Sequence, residues 1–116
     1  MYKIAWSRSG AHWPFGARGG DRGFEVKAKT ITDKCHTNYC DGQSDLHMKL
    51  IYETDTKRIL GAQMVGRKGA VHRIDAMAVA ITMGATTSQL ATMDFAYAPP
   101  FSRTWDIMNV AGNVAK

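Results

Sequence analysis

Residues 93–102 read MDFAYAPPFS, and the rest of the chain can be understood from this stretch. Its two consecutive prolines, Pro99 and Pro100, exclude helix and predict a stiff, extended segment. The aromatic residues on the segment are Phe95, Tyr97 and Phe101. On the residues alone, the commoner interpretation is an aromatic packing corner. The alternative is that the stiff segment holds the tyrosine hydroxyl in a defined place for chemistry.

One helix is predicted on each side of this segment. The first covers residues 87–93, with Thr86 as its N-cap and Gln89 three residues later in capping-box position. The second covers residues 102–111 and begins at the N-cap Ser102.

A longer helix is predicted upstream, over residues 69–83, and it is apolar over much more than the usual third of its circumference. One stripe consists of Val71, Ile74, Ala78 and Ile81, and a neighbouring stripe consists of Ala70, Met77, Ala80 and Gly84. We expect one side to pack on a sheet and another to need a second partner. Gly84 is the expected C′ residue of this helix, and Gly112 is expected to end the last helix.

Four strands are predicted in the first half of the chain, at residues 2–7, 25–32, 46–53 and 58–66. The short polar link between the last two predicts an antiparallel hairpin. Apolar residues fall on both faces of the hairpin, so part of the sheet is expected to have other parts of the protein packed on both of its faces. In the second strand, Val26, Ala28 and Thr30 are expected to face one way and the lysines the other. Residues 8–23 are rich in glycine without a period and are predicted to be loop.

These elements predict an α+β fold, a mainly antiparallel sheet of about four strands covered by about three helices. The length of 116 residues suits a single domain, 1–116, and 45% hydrophobic with 22% charged residues is an ordinary globular composition. No apolar run has the length of a membrane span, and the N-terminus lacks a signal-peptide core, so the cytoplasm is the expected location.

Several stretches together resemble the C-terminal end of coenzyme A-disulfide reductases, which are flavin-dependent pyridine nucleotide-disulfide oxidoreductases. They are HTNY at 36–39, ILGAQMVG at 59–66, KGA at 68–70, RIDA at 73–76, YAPPFS at 97–102 and WDIMNVAGN at 105–113. Their order and spacing agree with the family from about residue 26 to residue 116. The chain departs from it at residues 8–23, where the family usually has a helix rich in alanine and glutamate.

The resemblance implies the dimerisation-domain fold of FAD/NAD-linked reductases, and a chain that is a fragment lacking the flavin and nicotinamide domains. The parent enzyme would be a homodimer that uses FAD and NAD(P)H to reduce coenzyme A disulfide. The chain has no glycine-rich dinucleotide fingerprint, so it is expected to bind neither cofactor by itself.

Tyr39 and Tyr97 are the candidate catalytic residues. A phenol can stabilise a thiolate by a hydrogen bond or protonate a leaving sulfur, and both tyrosines lie in predicted loops. On the residues alone, Tyr39 is more readily a surface aromatic. The resemblance implies that tyrosines at these positions reach across the dimer into the partner subunit's active site. The apolar excess of helix 69–83, with the last helix and Trp105, would form the two-fold interface.

Contacts with coenzyme A phosphates are assigned to Lys68, Arg73 and His36. The two cations lie with Arg67 and His72 at the start of a helix, where anions bind. On the residues alone, the commoner interpretation is a solvated helix start, with Asp75 pairing with a neighbouring cation.

No metal site is predicted. Cys35, His36, Cys40 and His47 have irregular spacing for zinc, and two cysteines do not make a disulfide framework. A redox role for these thiols has little support, because neither lies at a helix N-terminus. In the family, the redox-active centre is a cysteine of the flavin domain.

Three other functions remain open. The chain could belong to a related NADH oxidase or persulfide reductase, or be a stand-alone homodimeric interaction module. The net charge of +5 and the basic, aromatic residues at 13–22 also permit RNA binding. We expect neither a nucleic acid nor a membrane partner.

Overall fold

A four-stranded antiparallel sheet forms the base of the fold. The computed structural model describes residues 3–8 and 25–116, and within them the sheet has the order β1-β4-β3-β2. The strands are β1 (Lys3–Arg8), β2 (Val26–Lys34), β3 (Asp45–Glu53) and β4 (Ile59–Gly66). All three pairings are antiparallel, and the predicted hairpin of β3 and β4 is confirmed.

Three helices follow the sheet in the chain. They are α1 (Ala70–Thr82), α2 (Thr87–Thr92) and α3 (Ile107–Val114). α1 packs against β1 and β4, α3 packs against β2 and β3, and α2 packs against α3. The predicted α+β class, with about four strands and three helices, is therefore confirmed. Among the described residues, no helix is long and apolar enough to cross a membrane.

The core lies between one face of the sheet and the helices. Alternate β3 residues, Leu46, Met48, Leu50 and Tyr52, are fully buried, whereas His47 and Lys49 between them are exposed. The helical side of the core is formed by Ile74, Met77, Ile81, Leu90, Ile107, Met108 and Ala111. This alternation on β3 is the two-residue period of a strand with one covered face.

Two expectations for the sheet need correction in the described part of the chain. Helices pack on one face only, and Ile51 and Val65 on the other face are half-buried rather than covered. On β2, Ala28 and Thr30 are exposed, and Ile31 on the opposite face is the residue packed against the core. The reason is that β2 is an edge strand. It has a neighbouring strand, β3, on one side only, so most of its side chains remain exposed.

Local signals specify the boundaries of α1 and α2 as predicted. Gly84 adopts φ +73° after α1, where its N–H donates to the Ile81 carbonyl at 3.1 Å, and Ala85 N–H donates to the Ala80 carbonyl at 2.9 Å. These two bonds are a Schellman motif with Gly84 at C′. At the start of α2, the predicted capping box of Thr86 with Gln89 is confirmed.

The prediction for the start of α3 is wrong. Ser102 is not its N-cap, because the Ser102 hydroxyl donates to the Ala96 carbonyl at 3.2 Å and closes the preceding turn. The helix begins after Asp106, whose carboxylate accepts the N–H of Met108, while the side chain of Asn109 accepts the N–H of Asp106. This is a second capping box, four residues later than expected.

The predicted end of α3 at Gly112 is also wrong, because the helix continues to Val114. Gly112 is required there by packing. A Cβ on it would lie 2.6 Å from the Ala91 nitrogen and 2.7 Å from the Thr87 oxygen of α2. Two helices approach that closely only where one of them lacks a side chain. The predicted loop at 8–23 lies outside the described residues, except for Arg8 at the end of β1.

Candidate functional site

Both candidate tyrosines present their side chains to solvent. Tyr39 is 73% exposed and Tyr97 is 48% exposed, whereas Tyr52 is fully buried in the core. Tyr39 lies in the connection between β2 and β3, residues 35–44, called here the Tyr39 loop. Tyr97 lies in the connection between α2 and α3, residues 93–106, called here the Tyr97 loop. A phenol exposed to this degree is available to a molecule outside the domain.

The two tyrosine-bearing loops are bonded directly to each other. The backbone N–H of Thr37 donates to the Pro99 carbonyl at 3.2 Å, and the Thr37 hydroxyl donates to the same oxygen at 2.7 Å. Thr37 precedes Tyr39 by two residues, and Pro99 follows Tyr97 by two. Sixty-two residues of chain separate the bonded pair, so the junction brings two distant parts of the sequence to one place.

Arg73 is buried beneath both loops and bonds to each. Its Nη2 donates to the Cys35 carbonyl at 3.0 Å and to the Phe101 carbonyl at 3.5 Å. Its Nη1 donates to the Gly69 carbonyl at 3.1 Å, and its Nε lies 2.8 Å from Oδ2 and 3.1 Å from Oδ1 of Asp106. These bonds connect the start of α1, both loops and the N-cap of α3.

These bonds occupy the guanidinium of Arg73, one of the candidate coenzyme A ligands, with acceptors of the protein itself. Its side chain is 9% exposed, and each of its three nitrogens already donates to an acceptor of the protein. A guanidinium in this state has little capacity left for a phosphate. The prediction rested on the position of Arg73 among the cations at a helix start, a pattern that does not reveal which cation points inward.

The Tyr97 loop is anchored at its start as well. The side-chain amide of Asn109 donates to the carbonyls of Met93 at 2.9 Å and Leu90 at 3.2 Å. One amide therefore adds a donor to two carbonyls at the end of α2, which also accept the backbone N–H groups of Met93 and Phe95. Sequence reasoning missed Asp106 and Asn109. The available signal was the spacing of three residues between them, which is the spacing of a capping box.

The Tyr39 loop is closed by its own short-range bonds. The Gln43 amide donates to the His36 carbonyl at 2.6 Å, and the Ser44 N–H donates to the Cys35 sulfur at 3.2 Å. Both cysteines are free, and the Cys40 sulfur lies 3.7 Å from the Thr37 hydroxyl oxygen. In residues 25–116 and β1, no group of three or more His, Cys, Asp or Glu could hold a metal ion.

The other two candidate coenzyme A contacts differ in accessibility. His36 is 3% exposed, and its Nδ1 donates to the Thr37 carbonyl at 3.0 Å. Lys68 is exposed, and its ammonium lies over Gly42, where a Cβ would collide with it. Lys68 is therefore the candidate that presents a cation to solvent beside the Tyr39 loop.

Large apolar side chains remain exposed near the loops and on α1. Phe101 is 76% exposed and Trp105 is 61% exposed, both in the Tyr97 loop. Val71 and Val79 on α1 are exposed, as is Met83 at its C-cap. The buried side of this helix differs from the predicted stripes. It combines Ile74 and Ile81 of one stripe with Met77 of the other, and Val71 faces solvent. An exposed set of this kind is typical of an interaction surface.

Comparison with known proteins shows that the chain is similar to one domain of larger proteins. Residues 17–108 match the model of the pyridine nucleotide-disulphide oxidoreductase dimerisation domain. The chain is 39% identical over 93 residues to coenzyme A disulfide reductase of Staphylococcus aureus (strain JH9). That alignment covers 80% of this chain and 21% of the relative, so the chain spans about a fifth of the relative's length.

Two solved structures are also similar. A NAD-dependent persulfide reductase from A. fulgidus superimposes with a TM-score of 0.86 at 30% identity, covering 98% of this chain and 20% of that one. The reduced CoADR-RHD of Bacillus anthracis gives 0.75 at 32% identity, covering 78% of this chain and 16% of that one.

Proposed function

The chain belongs to the family of pyridine nucleotide-disulphide oxidoreductase dimerisation domains, and from this premise we propose that it serves a coenzyme A disulfide reductase. In this proposal residues 1–116 are the dimerisation domain of a cytoplasmic homodimer whose other domains bind FAD and NAD(P)H. The 39% identity to the S. aureus reductase supports that substrate. The isolated chain is then expected to be inactive, because the redox chemistry lies in the other domains.

Tyr39 and Tyr97 act, in this proposal, on the sulfur atoms in the partner subunit's site. When bound, FAD and NAD(P)H supply the electrons that break the disulfide. Each phenol donates its O–H to a sulfur that leaves as a thiolate, which stabilises the negative charge where it develops. A donor of this kind can also transfer its proton to the thiolate and recover one from solvent.

The bonded junction of Thr37 and Pro99 is the observation that carries the proposal. It joins the two loops two residues from each tyrosine, and both phenols remain exposed. A pair of aromatic residues serving only as packing would be buried, as Tyr52 is. Two solvent-facing phenols on rigid, mutually bonded loops can instead approach one substrate together.

The exposed apolar side chains support the homodimer. A surface for a second copy is provided by Val79 on α1, Met83 at its C-cap, and Phe101 and Trp105 in the Tyr97 loop. Because a two-fold interface uses the same patch on both subunits, each subunit would present its tyrosines to the other. Lys68 beside the Tyr39 loop is the remaining exposed candidate for a coenzyme A phosphate.

A domain replacement tests the tyrosine role. This chain would replace the stretch that it matches in the S. aureus reductase, and turnover of coenzyme A disulfide would be measured. Tyr97→Phe and Tyr39→Phe should each lower kcat by about 10- to 100-fold, because one donor to the leaving sulfur is lost. Tyr52→Phe is the matched control, since it removes a buried hydroxyl that donates to the Lys116 carbonyl. Full turnover in both loop variants, with normal FAD content, would remove the proposed role.

A persulfide reductase is the second candidate. The A. fulgidus enzyme supports it, because its similarity extends over 98% of the chain. The same replacement distinguishes the two, since only this domain changes. The quantity compared is the ratio of kcat/KM for a coenzyme A persulfide to kcat/KM for the disulfide. A higher ratio after replacement than in the original S. aureus reductase favours the persulfide function, and an unchanged ratio favours the disulfide function.

A further inference from the structure

We propose that Arg73 is a positioning residue. Buried under the Tyr39 loop and the Tyr97 loop, it fixes the position of Tyr39 relative to Tyr97. This inference rests on the proposed function, because it assigns the arginine a role in the reaction through the two phenols. Arg73 itself is buried, and its guanidinium bonds to groups of this domain.

The argument begins with the limits of the surface junction. Both bonds from Thr37 end on one oxygen, that of Pro99. Two loops joined at a single acceptor can still rotate about that point. A second attachment, displaced from the first, is needed to prevent the rotation.

Arg73 supplies the second attachment. It bonds the Cys35 carbonyl, two residues before Thr37, and the Phe101 carbonyl, two residues after Pro99. The two loops are therefore tied at the exposed junction and again at the buried guanidinium. The carboxylate of Asp106 holds the guanidinium in place and is itself fixed as the N-cap of α3.

The chemistry of the side chain matters as well as its charge. A guanidinium is a planar fork of five N–H donors, so it can bond a carboxylate and several carbonyls in set directions. A lysine ammonium at this position would retain the attraction to Asp106 and would not reproduce the fork. Arg73→Lys therefore keeps the ion pair while loosening the loops.

A double-mutant cycle in the domain replacement described above tests this role. Arg73→Lys should lower kcat/KM for coenzyme A disulfide about 10-fold when both tyrosines are present, since misplacement on the order of 1 Å is costly to catalysis. In the Tyr39→Phe, Tyr97→Phe background it should lower the remaining activity by less than about 2-fold, because the groups it positions are gone. An equal loss in both backgrounds would mean a purely structural role and would overturn the inference.

A measurement without turnover separates this inference from the proposed function. The 116-residue chain labelled with 3-fluorotyrosine would report each ring by ¹⁹F NMR. Arg73→Lys should shift or broaden the signals of Tyr39 and Tyr97 and leave that of buried Tyr52 unchanged. Arg58→Lys, an exposed arginine after the hairpin link, is the matched control and should change none of the three.

The outcomes are distinguishable. If the double phenylalanine variant keeps full turnover, the proposed function fails, whatever Arg73 does. If that variant loses turnover but the ¹⁹F signals of both loop tyrosines are unchanged in Arg73→Lys, the positioning role fails and the proposed function stands.

Discussion

The carboxylate of Asp106 lies 2.8 Å from the guanidinium of Arg73, with both side chains more than nine-tenths buried. Arg73 is the fourth residue of α1, and Asp106 is the N-cap of α3. The pair therefore connects the two helices that pack on the sheet. The same carboxylate accepts the N–H of Met108. Charge pairing and helix capping therefore depend on one side chain.

Asp106→Asn separates these two contributions. Asparagine caps a helix about as well as aspartate, so the variant loses the charge and keeps the cap. We expect a loss of about 3 kcal/mol, because the Arg73 charge is left buried without its partner. Denaturant unfolding of the 116-residue chain measures it. Asp33→Asn, which breaks the more exposed pair with Arg103, is the control and should cost less than about 1 kcal/mol. Equal losses in the two variants would contradict the special role of the buried pair.

Gly112→Ala should destabilise the protein although alanine favours helix. The new Cβ would lie 2.6 Å from the Ala91 nitrogen and 3.0 Å from its Cα, and backbone cannot move aside as a side chain can. We expect a loss of about 1–3 kcal/mol from overpacking, where an exposed helical glycine would gain about 0.5–1 kcal/mol. The midpoint of thermal unfolding reports the sign. Asn113→Ala, at the neighbouring exposed position, should be neutral or stabilising, and a stabilised Gly112→Ala would refute the close approach.

Asp45 should titrate below its ordinary pKa of 3.8. The Lys34 ammonium, 2.6 Å away on the paired strand, lowers the pKa of this carboxyl by a hydrogen bond and by its charge. Because the folded pKa lies below the unfolded one, the stabilisation is present above pH 3.8 and is lost as the pH falls through the folded pKa. Carboxyl NMR titration measures the shift. In Lys34→Met the pKa of Asp45 should return towards 3.8, and added salt should weaken the effect in the parent.

Val79→Glu should weaken self-association and leave folding intact. The side chain is 64% exposed on α1, so the isolated subunit loses almost no core contact. In the proposed two-fold interface each dimer would bury two unpaired carboxylates, which is strongly unfavourable. Sedimentation at several concentrations measures the dissociation constant. Thr82→Glu, also exposed on α1, is the control for added charge. An unchanged dissociation constant in Val79→Glu would place the interface elsewhere.

Sequence rules for caps and turns predicted the structure correctly where the interacting residues lie within a few positions of each other in the chain. The capping box of Thr86 with Gln89 and the C′ role of Gly84 were predicted because both motifs are made by neighbouring residues. The hairpin of β3 and β4 was predicted for the same reason. A link of only four polar residues between two strands is too short for anything but an antiparallel turn. These features are properties of short segments and hold whatever packs around them.

The same rules failed where a distant residue chose between local options. Ser102 and Asp106 are both good N-caps, and the one local signal for the later residue is Asn109, three residues after it in capping-box position. The tertiary structure adds a partner that the sequence does not reveal, because the buried guanidinium of Arg73 pairs with the Asp106 carboxylate at the start of α3. The end of α3 was missed in the same way, since Gly112 is required by the approach of α2 rather than by a helix end.

For the candidate site, the residue types and the loops that carry them could be read from the chain itself, because a proline pair and a phenol keep their chemistry in any fold. Their assembly could not be read, because Thr37 meets Pro99, and Arg73 meets Cys35 and Phe101, across gaps of 28 to 62 residues. Contacts over such gaps form only when the sheet and helices have packed, and they join the two loops that carry Tyr39 and Tyr97.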